Sequence, residues 1–168
     1  MSRWRRLFIP DDRVEPPSAA SPPDELAAIR QQLDTVIQRV RSSSGRIPPP
    51  AVVRARDIGD EVALLVRELD RRRSSGSSID ALVVATLEST VNDYLPTSVE
   101  SFLAVTDPGG IGGDAARRGA EDQLYSQLEL LSSGMQELVD SVRSGTANPL
   151  DVQGRFLEAK FGKNDLRL

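Results

Sequence analysis

Two residue types that carry much of enzyme chemistry are missing here: the chain has no cysteine and no histidine. Without cysteine there is no disulfide, no thiolate nucleophile and no thiolate metal ligand. Without histidine the chain lacks the side chain best matched to proton transfer near neutral pH, and the commonest metal ligand. Aromatic residues make up 4% of the chain against 39% hydrophobic residues overall, so Leu, Val and Ile must build the core. Lysine is scarce, with Lys160 and Lys163 the only two among 21 basic residues. A GC-rich coding bias explains that imbalance more simply than phosphate recognition does. No apolar run approaches the ~18–20 residues that span a bilayer. The opening MSRWRRLFIPDD has a basic head, but its apolar part, Leu7 to Ile9, is too short for a secretory signal. The expected location is the cytoplasm.

Charge is unevenly distributed. Residues 1–76 hold 14 basic and 11 acidic side chains, whereas residues 77–168 hold 7 and 14. The net charge of −4 argues against a general nucleic-acid binder, which carries a basic face or a high pI. Polarity of this kind can guide assembly with a partner, although most such charges are solvated surface.

What remains is helical pattern. Residues 10–23, PDDRVEPPSAASPP, hold five prolines and read as an extended linker behind a short arm. Leu26, Ile29, Leu33, Val36, Ile37 and Val40 recur at three-and-four spacing and predict a helix from Asp24 to Arg41. SSSGRIPPP breaks it. Val52, Ile58, Val62, Leu65, Val66 and Leu69 predict a second helix from Ala51 to Arg73, whose closing arginines suit the negative end of the helix dipole. A third begins near Ser78 on Ile79, Leu82, Val83, Leu87 and Val91. Pro96 disfavours helical geometry at Leu95, and Thr97-x-x-Glu100 matches a capping box for a short fourth helix. DPGGIGGD, Asp107 to Asp114, reads as a loop. Leu124, Leu128, Leu131, Met135, Leu138 and Val142 predict a fifth helix over 115–143, with Ser144-Gly145 as its stop. Asn148-Pro149 predicts a sixth that ends at Gly162. No strand-like alternation of useful length and no internal repeat is present. The expected fold is all-α, a bundle of long helices with two short proline-initiated ones and a flexible arm. The expected organisation is an arm and linker over 1–23, a helical hairpin over 24–73, a helical core over 78–162 and a tail over 163–168.

Five features are candidate sites. The first is the corner NDYLPTSVESFL, where Tyr94 and Phe102 would pin two helices together. Its plain role is core packing; its functional one is a partner groove formed by Tyr94, Leu95, Pro96 and Phe102. The surrounding TLESTVNDYLPTSVESFLAV resembles the Y-L-P-x-(T/S)-(L/V)-x-x-(F/Y)-L element of XpaC-like proteins. Those are named for bromochloroindolyl phosphate hydrolysis and associated with TelA-type toxic-anion resistance proteins. GRFLEAKFGKNDLRL is similar to the ending of actinobacterial helical proteins that share this corner. The resemblance implies a neighbourhood of toxic-anion or envelope stress and a TelA-like partner.

The second feature is the arm. Arg3, Arg5 and Arg6 sit beside Trp4, Leu7 and Phe8, a composition suited to an anionic membrane surface or to a groove on a partner. The third, PGGIGGD, lacks the Lys and Ser/Thr of a P-loop and follows a helix, so it reads as a connection. The fourth is carboxylates: Asp57, Asp60, Glu61, Glu121 and Asp122 are oxygen ligands in principle. Asp57 and Glu61 share a helix face, yet Arg54 and Arg56 stand close by. The fifth is the apolar stripes of the first two helices, which suit either the chain's own core or a coiled coil between subunits.

Together these point to a non-catalytic helical adaptor or scaffold that binds protein partners, with no cofactor, no metal and no nucleic acid, and with self-association open. The alternatives are a peripheral membrane protein anchored by residues 1–10, or a phosphate-ester hydrolase holding metal by carboxylates alone.

Overall fold

The stripes become buried helix faces. The computed structural model describes residues 22–107 and 113–145. Helix α1, Pro22–Ser42, buries Leu26, Ile29, Leu33, Val36 and Val40. It starts two residues before Asp24, since proline in a first turn gives up only an amide that has no helical partner. Residues 43–48 turn the chain, and Ile47 of this turn is buried in the core. Arg46 holds the turn in place by donating to the Leu103 carbonyl at 3.3 Å.

Helix α2, Pro49–Ser74, buries Ala51, Ala55, Ile58, Gly59, Val62, Leu65, Val66 and Leu69. It ends as the SSGSS run predicts. Gly76 takes φ +77, the Gly76 N–H donates to the Arg73 carbonyl at 3.0 Å and the Ser77 N–H to that of Arg72 at 2.9 Å. This pair of bonds is a Schellman motif, which satisfies carbonyls that the helix leaves open. Asp80 then caps α3, Ala81–Ser89, by accepting from the Leu82 N–H at 2.8 Å.

The corner expected at Pro96 is not a corner. The helical path continues through a π turn, Thr90–Tyr94, into α4, Leu95–Val105. Leu95 keeps helical angles, φ −67 and ψ −46, and its N–H donates to the Thr90 carbonyl five residues back. A proline ring inside an α-helix collides with the carbonyl four residues earlier. Widening the preceding turn is the accommodation seen here. The turn has a second cause in the sequence. Val83, Leu87, Val91, Leu95 and Val99 are all buried at intervals of four. In a regular helix each such step overshoots by about 40°, so the row would leave its face within a few turns. A wider turn takes up the overshoot. The capping box does not form either: the Thr97 hydroxyl lies 3.3 Å from Asp93 Oδ1, and Glu100 pairs with Arg39 at 2.7 Å. With no new helix start, there is no free amide for Thr97 to cap.

Helix α5, Asp114–Ser144, closes the bundle and ends at Gly145 in the left-handed region, φ +69. Contacts fix the directions. Gly59 meets Leu33 and Ile37 while Arg30 pairs with Asp70, so α1 and α2 are antiparallel. Arg54 pairs with Glu129 at 2.8 Å and Gln136 donates to Glu61 at 3.2 Å, so α2 and α5 run the same way. Thr90 meets Met135, and Val83 lies near Val142, so the α3–α4 path opposes α5. Helix α2 packs on α1 and α5, and α3–α4 packs on α1 and α5, in a four-cornered arrangement. The fold is therefore all-α, and no strand occurs among the described residues.

All four corners feed one continuous buried cluster. The hairpin over 24–73 and the helices after it thus share a core, because α2 lies against α5 along its length. The arm, the glycine loop over 108–112, the sixth helix and the tail lie outside the described residues.

Candidate functional site between parallel helices

Helices α2 and α5 bury Leu65, Val66, Leu128, Leu131 and Leu138 in the core. At the outer edge of their seam the sequence changes character. Asp60, Glu61 and Leu64 project from α2, and Gln136, Val139, Asp140 and Arg143 from α5. They line a groove of about 400 Å³. Three carboxylates and one guanidinium surround two apolar side chains.

Glu61 is the central group. Its Oε1 accepts a hydrogen bond from Gln136 Nε2 at 3.2 Å. Its Oε2 is shielded from solvent and has no hydrogen-bond partner. A shielded acceptor without a partner is costly, and more so when charged. Desolvation raises the Glu61 pKa above the ordinary carboxylate range, and Asp57, one turn earlier, adds to the rise. The hydrogen bond from Gln136 and the charge of Arg54 oppose it. Chemically, the groove offers the negative charge of Asp60, Asp140 and a partly desolvated Glu61 to a cationic group, with Leu64 and Val139 as apolar support.

A second cleft, of about 370 Å³, lies at the end of the bundle among Leu69, Ile79, Asp80, Val83, Val142 and others. Arg72 spans it. Its guanidinium bonds to Glu68 of its own helix and to the Val142 carbonyl in the last turn of α5. Arg72 therefore caps a neighbouring helix, which assigns it a structural role.

The residues singled out in sequence fare unequally. Leu95 and Phe102 are 0% and 2% exposed, inside the chain's own core. Tyr94 and Pro96 are half-buried on the same helical path. Tyr94 and Phe102 thus belong to one continuous path and not to two helices pinned together. Arg3, Trp4, Arg5, Arg6, Leu7 and Phe8 lie outside the described residues. Asp57 and Glu61 do share a face of α2, as their spacing predicts. Glu121 does not join them: it accepts from the Tyr125 hydroxyl at 3.3 Å and lies about 22 Å along α5 from Gln136. Among the described residues no group of three or more acidic side chains is placed to hold a metal ion. No described helix is long and apolar enough to cross a membrane.

The groove itself was missed in sequence. Glu61 and Gln136 are 75 residues apart, and neither breaks the pattern of an ordinary solvated helix face. Comparison with protein-family models, curated proteins and solved structures gave no match.

Proposed function

We propose that the protein is a non-catalytic helical adaptor, and that its α2/α5 groove receives a basic, apolar-anchored segment of a partner protein. The observation that carries this reading is the shielded, partnerless Glu61 Oε2 beside Leu64 and Val139. An arginine or lysine from a partner would offset the charge of Asp60, Glu61 and Asp140, and an adjacent apolar side chain would cover the two aliphatic ones. Helical peptides commonly bind grooves of this kind through a few such anchors. The resemblance of residues 86–105 to XpaC-like proteins supports a partner of the TelA type and a setting of toxic-anion or envelope stress. The place of action on this reading is the cytoplasm, near the inner face of the membrane.

Calorimetric titration of the full chain with a purified TelA-like protein tests it. Asp140→Arg, at an exposed position, should weaken binding at least tenfold, about 1.4 kcal/mol. Equal binding by wild type and variant, or none by either, removes the reading. A solution mass measurement on the chain alone distinguishes an adaptor monomer from a self-associating one.

A further inference from the structure

We propose that residues 3–9 of this chain, RWRRLFI, occupy the α2/α5 groove of the same molecule. Three observations meet. The first is charge. The groove presents Asp60, Glu61 and Asp140 against the single Arg143. The arm presents Arg3, Arg5 and Arg6, and its first ten residues contain no acidic side chain. The second is the pattern of apolar groups. Leu64 and Val139 sit among the carboxylates, and Trp4, Leu7 and Phe8 sit among the arginines. A guanidinium in the groove also offsets the charge of the partly desolvated Glu61 carboxylate.

The third is reach. Arg30 of α1 pairs with Asp70 of α2, so α1 begins at the end of the bundle where α2 and α5 finish. From Pro22 to the level of Leu64 is about 20–25 Å along the axis at the rise of an α-helix. Residues 10–21 span up to about 40 Å when extended, and their prolines favour extension. The linker therefore crosses the width of α2 with length to spare. Tethering sets an effective concentration in the millimolar range, so a weak contact suffices.

This inference concerns the chain alone and goes beyond partner binding. It gives the groove an internal occupant that a partner must displace. Its test needs no partner, so its failure leaves the adaptor reading to the titration above.

Trp4 is the chain's only tryptophan, which makes it a direct reporter. In the full chain its emission should be blue-shifted and protected from iodide and acrylamide. Asp140→Arg and Leu64→Glu should each move it to the emission and quenching of a solvent-exposed tryptophan, with far-UV circular dichroism unchanged. The pair Arg5→Glu and Arg6→Glu, which alters no residue of the bundle, should do the same. High salt should weaken protection in wild type. Solvent-exposed emission in the unaltered chain overturns the proposal, as does protection that survives all three variants. Protection that disappears on dilution together with a halving of mass assigns the arm to a second copy and overturns it. So does protection that appears only with anionic vesicles.

Discussion

Helix α2 meets its two neighbours in different ways. Against α1 it presents small residues: Ala51, Ala55 and Gly59 are buried at intervals of four, and a Cβ on Gly59 would come within 2.8 Å of Ile37 Cδ1. The side chains of Leu33 and Ile37 lie directly against the α2 backbone there. Against α5 it presents larger aliphatic residues in the core and polar ones at the edge, ending in Glu61, Gln136 and a cavity. The first seam is defined by shape, the second by shape inside and electrostatics outside. Among the described residues, the second seam holds a shielded acid oxygen with no partner, Glu61 Oε2, at the edge of an acidic groove.

Changes at Leu65, Gly59, Arg72 and Glu61 would break or sharpen that contrast. Leu65→Ala removes a fully buried side chain of α2 and should cost about 2–5 kcal/mol in urea unfolding; it sets the scale for the common core. Gly59→Leu should cost about 1–3 kcal/mol by overpacking the α1 seam. Gly59→Ala is a finer probe, because helix propensity gains nearly 1 kcal/mol while Ile37 must move aside. Combining it with Ile37→Val, which deletes the obstructing Cδ1, should turn a near-neutral change into a stabilising one. Additive effects in that double-mutant cycle would refute the close approach.

Arg72→Met should cost about 1–2 kcal/mol, since it leaves the Val142 carbonyl without its charged donor. Amide exchange should speed up chiefly in the last turn of α5. Glu61→Gln should have the smallest effect, visible mainly as pH dependence. The folded-state pKa of Glu61 lies above its ordinary value, so the folded chain binds the proton more tightly than the unfolded one. Its contribution to stability is therefore present at acid pH and lost as pH rises through the raised value. In the Arg5→Glu, Arg6→Glu background, where the arm leaves the groove empty, Glu61→Gln should flatten that slope in thermal melts and be no less stable than its parent at pH 7. A steeper slope in the variant would show the sign to be wrong.

The helices were legible because their apolar residues repeat at three and four, and α1, α2 and α5 follow that pattern closely. Gly76 and Gly145 were legible as stops, because positive φ favours glycine. Pro96 departs from the sequence expectation for a physical reason: local rules treat proline as an end, whereas a neighbouring wide turn lets the helix continue. The clue was available in the strict four-residue spacing from Val83 to Val99, which a regular helix cannot keep on one face. Ile47 gave no signal, being a single apolar residue among serines and prolines. The groove had none either. Its defining pair joins two helices, and nothing within either helix reveals which polar residue faces the other.

The π turn also sets the rotational phase between the two halves of the α3–α4 path. Deleting one residue within Thr90–Tyr94 would turn everything beyond it by about 100° relative to Val83 and Leu87. Val99 and Phe102 would swing away from the core, and polar neighbours would replace them. Such a one-residue deletion should damage the protein more than replacing Pro96 by alanine, because the proline occupies one position while the turn indexes every residue downstream.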